Sequence, residues 1–308
     1  MSVVTVALPV LDGGTLLAAV LDAVRAQDVD RHVELLIIDS GSSDDSVAVA
    51  RRHGARVIQI PRHRFSHGGT RNRLMELAKG DHVAFLTQDS VPEGRGWLAA
   101  LLGGFELADD IALVCGPYLP RPGDSPMVRR ELEEFFASFG GVRVDRGAPE
   151  LGPSSFYSSA NGAVARWAWE RVPFRTVPYA EDQALARDML AAGLAKAYVP
   201  AAAVRHSHDL PPLRALRRYF DDFRGLREVY GLQEPLSPRL IAARVRAEVA
   251  ADRAFMRREG LEVQTLRSLR HHSARALGRS LGTNADRLPP WARRLLSHDG
   301  RASFEATA

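Results

Sequence analysis

Val33-Glu34-Leu35-Leu36-Ile37-Ile38-Asp39-Ser40-Gly41-Ser42 decides the fold. An apolar run, broken only by Glu34, ends at a carboxylate and then a glycine-serine turn. A short run that is apolar on successive residues suits a strand covered on both faces, and such strands belong to parallel sheets flanked by helices. His82-Val83-Ala84-Phe85-Leu86 repeats the pattern and stops at Thr87-Gln88-Asp89-Ser90. In open α/β sheets, ligands bind in the crevice beyond the carboxyl ends of the strands. Asp39 and Asp89 therefore point into one site, with Glu181-Asp182 and His206-Ser207-His208 as the groups to complete it.

Around these two runs the first 120 residues alternate strand and helix signals. A strand is expected over 3–8, ended by Pro9, then a helix over 15–26 with Leu16, Leu17, Val20, Leu21 and Val24 on one face. A helix over 44–53 follows the quoted strand, with Ser42-Ser43-Asp44 able to cap its start. Next come a strand over 56–60, a helix over 69–79 stopped by Gly80, and the strand at 82–86. This alternation predicts right-handed crossovers between parallel strands. Further on, helices are expected over 94–107, 128–139 and 181–192, and strands over 111–115 and 196–199. Residues 143–155 are rich in Gly, Pro and Ser and read as a mobile loop near the site. From Leu213 the pattern is helical, with Leu216, Tyr219, Phe220, Phe223, Leu226 and Tyr230 forming an apolar stripe. Helices over 240–258 and 261–281 follow the break at Pro235 and Pro238.

Apolar residues make up 45% of the 308, enough for a sizeable core. The lone Cys115 excludes an internal disulfide and a cysteine-based zinc site, and reads as a buried thiol. No basic-then-apolar leader opens the sequence and no apolar run approaches a membrane span, so a cytoplasmic protein is expected. Net charge is +4, unevenly spread. Residues 201–308 hold 20 Arg and no Lys against 12 acidic residues, while the first 200 are slightly acidic. A basic tail suits an anionic partner, such as a phosphate-bearing acceptor or a membrane surface, or else an Arg-rich solvated face.

The first strand is followed by Pro9-Val10-Leu11-Asp12-Gly13-Gly14, which is neither a dinucleotide fingerprint nor a P-loop. A strand-end carboxylate can still accept from a pyrimidine imide N–H, a role that Asp39 fits, or it can cap a helix. Arg71, near a helix start, offers a planar fork for a diphosphate. Asp89 offers oxygen to a hard divalent cation, and His206 or His208 offers an imidazole nitrogen to the same ion, which suggests Mn²⁺ or Mg²⁺. Tyr179-Ala180-Glu181-Asp182-Gln183 opens a helix, where the dipole favours ionised acids. A carboxylate there serves either as a general base or as plain N-terminal charge.

Taken in order, Pro9-Val10-Leu11-Asp12-Gly13-Gly14, 34–46 (ELLIIDSGSSDDS), Gly68-Gly69-Thr70-Arg71-Asn72, 85–92 (FLTQDSVP), 159–163 (SANGA), Ala180-Glu181-Asp182-Gln183 and 204–208 (VRHSH) resemble glycosyltransferase family 2. The resemblance covers about residues 3–210. The phrase at 87–89 and His-Gly-Gly-Thr-Arg-Asn at 67–72 are most similar to its bacterial rhamnosyltransferase branch. It implies a GT-A fold, with a mostly parallel central sheet flanked by helices, a nucleotide-sugar donor and inversion at the anomeric carbon. Asp182 would be the catalytic base. Pro9, Asp12, Asp39, Ser42, Arg71, Gln88 and Asp89 would meet the donor, and Asn161, Gly162 and Glu181 the sugar and acceptor. Asp89 and His206 would hold the metal, with His208 as the alternate. Two departures stand out: Thr87 replaces the first Asp of the Asp-x-Asp motif, and Leu11-Asp12 replaces the usual Tyr-Asn.

The resulting expectation is a catalytic domain over 1–210 and an Arg-rich helical extension over 211–308. The enzyme would move a sugar, rhamnose by resemblance, to a glycan or lipid-linked hydroxyl in the assembly of a cell-envelope polysaccharide. The extension would pack on the body or a twin subunit and touch the inner face of the membrane. No nucleic-acid module is present. Two other readings stay open: a metal-dependent hydrolase built on His206, His208 and Asp209, and a non-catalytic scaffold docking through its basic helices.

Overall fold

The computed structural model describes residues 2–147, 150–177 and 179–298. The chain divides into two compact units: Met1–Arg121, Phe135–Thr176 and Glu181–His206 form the first, and Pro122–Glu134, Val177–Ala180 and Ser207–Ala308 the second.

The chain opens with β1 (Val3–Val10), α1 (Gly14–Arg25), β2 (His32–Asp39), α2 (Ser46–Arg52), β3 (Arg56–Gln59), α3 (His67–Leu77) and β4 (His82–Leu86). It continues with β5 (Val91–Pro92), α4 (Trp97–Gly104), β6 (Ile111–Cys115), β7 (Tyr118–Leu119), α5 (Pro126–Ala137), β8 (Arg143–Asp145), β9 (Asn161–Ala165) and α6 (Arg166–Arg171). α7 (Glu181–Ala191), β10 (Ala195–Tyr198) and β11 (Val204–Arg205) complete the first unit. Eight strands form one sheet in the order β3-β2-β1-β4-β9-β6-β10-β8, and β5-β11-β7 form a small second sheet. β3, β2, β1 and β4 are parallel, as the alternation predicts.

The apolar runs lie at the centre: Leu35 to Ile38 and Val83 to Leu86 are all buried. Glu34 is tolerated there because its Oε2 accepts from Thr5 Oγ1 at 2.7 Å and from the Lys79 N–H at 2.8 Å, so the buried carboxylate is satisfied. β1 runs two residues past the expected stop at Pro9. Val10 carbonyl accepts from the Ser40 N–H on the β2 side, so the ring nitrogen of Pro9 faces the β4 side. Pairing with β4 ends at Ala7–Phe85, and the missing N–H therefore costs no ladder bond. α2 starts at Ser46, not at 44, with Asp44 Oδ1 accepting from the Ser46 N–H at 3.0 Å. α3 ends at Leu77, ahead of Gly80, and Arg166 donates to the carbonyls of Met75, Ala78 and Gly80. The stretch expected as a loop over 143–155 begins with β8, antiparallel to β10. Residues 148–149 of that stretch lie outside the described residues. Cys115 is a buried free thiol, pushed up by burial.

Two features of topology set the site. β9 inserts antiparallel between β4 and β6, pairing Asn161 with Leu86 and Gly162 with Cys115. The residues before Asn161 therefore leave the sheet at the edge where Thr87-Gln88-Asp89 follow β4. The small sheet pairs β11 with both β5 and β7, which gathers the residues just before β5, just after β7 and just after β11.

The second unit is helical, with α8 (Pro212–Tyr230), α9 (Pro238–Arg258), α10 (Thr265–Gly282) and α11 (Pro290–Leu296) besides the first part of α5. Gly278 and Gly282 let α10 close on α8. A Cβ at Gly278 would sit 2.5 Å from the Leu216 carbonyl oxygen, and one at Gly282 2.4 Å from that of Phe220. The aromatic stripe of α8 is covered in the process, with Arg275 over the Tyr219 ring at 5.0 Å and Arg279 over Phe223 at 4.6 Å. No helix among the described residues is long and apolar enough to cross a membrane.

Candidate active site

Three loops at the carboxyl edge of β1, β2 and β4 are tied together by side chains. Asp39 is buried, and its Oδ1 accepts from the N–H groups of Gly41 and Ser42 at 3.2 Å each, while the Ser42 hydroxyl donates to Oδ2. Ser42 Oγ also accepts from the Asp12 N–H at 2.9 Å, and Asp12 Oδ1 accepts from the Ser43 N–H at 2.7 Å. Asp12 has φ +48°, a conformation for which aspartate is one of the more tolerant residues. Gln88, expected to meet the donor, spends its amide on the chain: Oε1 accepts from the Leu11 N–H at 2.8 Å and Nε2 donates to the Leu11 carbonyl at 2.9 Å. It fixes the β1 loop against the β4 loop.

Asp89 stands where the small sheet gathers its neighbours. Its Oδ1 accepts from the Thr87 hydroxyl at 2.8 Å and lies 3.5 Å from His206 Nδ1. Its Oδ2 is 3.2 Å from Arg121 Nη2, which also donates to the Asp89 carbonyl. His206 is buried and held by its own N–H, which donates to the Leu119 carbonyl at 3.1 Å. A carboxylate oxygen and an imidazole nitrogen at that spacing suit adjacent positions around one ion with ligands about 2.1 Å away. Asp89 and His206 thus fit a hard divalent cation, and Thr87 orients the carboxylate in place of the missing first aspartate. Arg121 was not foreseen. A lone cation after the two-residue strand β7, in a Pro-rich stretch, leaves no periodic signal to find it by.

Glu181 and Asp182 open α7 behind Ala180, whose φ of +59° is costly for alanine. Arg71 and Glu181 are both buried and form an ion pair at 2.6 Å. Burial alone would raise the Glu181 carboxyl, but Arg71, helped by His67, holds it below its ordinary value. Arg71, expected to meet a diphosphate, is engaged in this internal pair. Asp182 accepts from the Ser159 N–H at 3.2 Å and from the Gln183 N–H at 2.8 Å. Burial first, and the charge of Glu181 second, push its carboxyl up to about 6. A general base works best with a pKa near the working pH, so the opposite shifts of these adjacent acids leave Glu181 a paired anion and Asp182 a carboxyl able to accept a proton.

Two of the three residues expected at the sugar and acceptor, Asn161 and Gly162, have scaffold duties. Asn161 is fully buried, donates to the carbonyls of Pro117 at 3.1 Å and Ala202 at 2.8 Å, and accepts from Trp97 Nε1 at 2.8 Å. A Cβ on Gly162 would stand 2.5 Å from the Tyr157 ring, so glycine is needed for packing. Asp209, part of the hydrolase reading, accepts from the Ser125 N–H at 3.0 Å and pairs with Arg267 at 2.8 Å within the second unit. His208 also belongs to that unit.

The sequence model of glycosyl transferase family 2 matches residues 5–159. The O-antigen chain rhamnosyltransferase WbaN of Salmonella anatum is 34% identical over 193 residues, 61% of each chain. RfbN of Salmonella typhimurium, also an O-antigen chain rhamnosyltransferase, is 32% identical over 225 residues, 71% of this chain and 70% of that one. The match thus spans less than two thirds of the first relative's length. Among solved structures, the mannosyltransferase PcManGT from Pyrobaculum calidifontis, in complex with GDP-Man and Mn²⁺, aligns at TM-score 0.60 and 17% identity, covering 90% of this chain and 86% of that one. Glucosyl-3-phosphoglycerate synthase from Mycobacterium tuberculosis, in complex with Mn²⁺, UDP and phosphoglyceric acid, aligns at 0.54 and 23% identity, covering 76% and 80%. With the family match over residues 5–159 and two relatives above 30% identity, the chain belongs to glycosyltransferase family 2 and has the GT-A fold.

Proposed function

We propose that residues 1–210 form an inverting glycosyltransferase domain that moves a sugar from a nucleoside-diphosphate donor to a hydroxyl of a glycan or lipid-linked acceptor. Likeness to the two Salmonella relatives favours rhamnose as the sugar and a cell-envelope polysaccharide as the product. The observation that carries the reading is Asp182, a carboxylate raised to about 6 and anchored on the N–H of Ser159, which lies just before β9 at the sheet edge that also bears Asp39 and Asp89.

Asp182 takes the proton of the acceptor hydroxyl as its oxygen attacks the anomeric carbon, and the bond to the diphosphate oxygen breaks on the opposite face. Arg71 keeps Glu181 ionised and paired, so the proton goes to Asp182. Asp39, Ser42 and Asp12 shape the crevice for the base, and Gln88 holds its two walls in register. Asp89 and His206 would hold Mn²⁺ or Mg²⁺, a Lewis acid for the charge that builds on the leaving diphosphate. Arg121, on the other oxygen of Asp89, places a second positive charge beside it.

The test is a panel of nucleotide sugars, nucleoside-diphosphate rhamnose included, with Mn²⁺ or Mg²⁺, read by thermal shift and by nucleotide release with glycan acceptors. A donor that stabilises the protein only with metal, and is consumed with inversion, is expected. If no donor stabilises the protein and none is turned over, the reading fails.

For residues 211–308 we propose peripheral contact with an anionic membrane, where lipid-linked acceptors lie. α11 supports this, since Trp291 and Leu295 are exposed beside Arg294. Flotation with anionic vesicles should weaken in Trp291→Ser/Leu295→Ser, and an unchanged float would remove the contact.

A further inference from the structure

The second unit holds, within itself, a buried polar cluster that the transfer chemistry does not use. Glu131 lies on α5, and the consecutive His271 and His272 lie on α10. His271 Nε2 is 3.2 Å from Glu131 Oε1, and His272 Nδ1 is 3.4 Å from the same oxygen. The two imidazole planes stand at 88°, and the three atoms all fall within 4.8 Å of one another. Ligands about 2.1 Å from a tetrahedral ion are about 3.4 Å apart. We propose that Glu131, His271 and His272 form a Zn²⁺ site that ties α5 to α10.

The surroundings of His272 carry the argument beyond spacing. Its Nε2 lies 2.7 Å from Asp252 Oδ2. That carboxylate is fixed in turn by Ser268 Oγ at 2.5 Å and by Arg130 Nε at 2.6 Å. Nε2 must be the donor to a carboxylate, which leaves a lone pair on Nδ1 of the neutral ring. Nδ1 is buried and makes no hydrogen bond, in a residue only 1% exposed. A lone pair 3.4 Å from a carboxylate oxygen is repelled unless a proton or a metal cation stands between them, and cobalt binding tells the two apart. A carboxylate that orients a histidine whose other nitrogen meets a metal is the usual second layer of a zinc site. His271 also lines an open cleft with Met127, Thr265 and Arg270, a route from solvent to one of the three ligands. Two imidazoles and one carboxylate favour zinc over magnesium.

Arg275 is the competitor. Its guanidinium contacts Glu131 Oε1 and lies over the Tyr219 ring at 5.0 Å. A carboxylate can serve both cations, one on each oxygen, so zinc binding moves Arg275 to Oε2. Removing that cation should tighten the site.

The experiment uses the full chain, stripped of metal and held in excess Mg²⁺ to fill hard-ligand sites. Co²⁺ is titrated as the probe, read by the visible bands of tetrahedral cobalt, and Zn²⁺ is added in thermal melts. One equivalent should bind with tetrahedral bands, and Zn²⁺ should raise the melting temperature. His272→Gln and Glu131→Gln should weaken binding at least tenfold, Arg275→Met should strengthen it several-fold, and Asp89→Asn should leave the bands unchanged. Arg275→Met keeps all three ligands and so stays informative if the ligand variants fold poorly. Absence of bands in both the wild type and Arg275→Met would overturn the site, as would bands lost in Asp89→Asn.

Discussion

Replacing Asp182 with asparagine keeps the shape of the side chain and removes its charge, so it separates the catalytic from the structural role of that carboxyl. A rise from the ordinary 3.8 to about 6 means that ionising Asp182 in the fold costs up to about 3 kcal/mol, at 1.36 kcal/mol per unit. The side chain is only partly buried, and solvent screening trims this to about 1–2 kcal/mol. The sign follows from linkage. The raised carboxyl gives the wild type stability that is fully present below pH 3.8, fades as the pH rises through 6, and is gone above about 7. Asparagine cannot titrate and lacks that loss. It also turns an N–H donor toward either Ser159 or Gln183, a constant penalty of about 1 kcal/mol. The pH-dependent part is therefore the measure: the melting temperature of Asp182→Asn relative to wild type should climb by about 3–6 °C between pH 4 and pH 8. Transfer should fall by about 10²–10⁴, with donor binding retained. Wild-type transfer should drop about tenfold per pH unit below 6. A melting difference flat across that range would refute the raised carboxyl, and full transfer by the variant would refute the base.

Asn161→Ala strands Trp97 Nε1 and the carbonyls of Pro117 and Ala202, and should cost about 3–5 kcal/mol in denaturant unfolding. Unaltered stability with a raised donor KM would return Asn161 to the substrate. Glu181→Gln leaves Arg71 as an unpaired buried cation and should cost about 3–5 kcal/mol, most of it recovered by adding Arg71→Met. If the double variant is no better than the single, the pair is not what Glu181 serves. Asp89→Asn should weaken Mn²⁺ binding at least tenfold by calorimetry, and equal affinity would place the ion elsewhere.

Local chemistry made much of the fold readable. Branched apolar runs ending at Asp39 and Asp89, helix-period stripes between them, and glycines at helix ends specify parallel strands with covering helices, because each signal lies within a few neighbours. Pro9 misled for the same reason: its missing N–H forbids a strand only if a partner is there to receive it, and β4 has stopped pairing by that point. The edge order of the sheet, with β9 reversed between β4 and β6, depends on contacts between segments 75 residues apart and had no local mark.

The acids were legible as a set, since carboxylates at strand and helix ends announce themselves by position. Their division of labour was not. Glu181 and Asp182 are neighbours of similar chemistry, and they diverge because the fold brings Arg71, 110 residues earlier, against one and leaves the other facing burial and its neighbour's charge. The family resemblance alone places Asn161 near the sugar, and no local signal shows where its amide goes. Its amide is consumed by partners at 97, 117 and 202. Glu131 and the histidines at 271 and 272 meet only through helix packing. Residue types and their short-range order thus name the strands, the helices and the candidate groups. Which polar atoms are already spent on the protein, and which are left for a substrate or an ion, depends on desolvation and pairing across long loops.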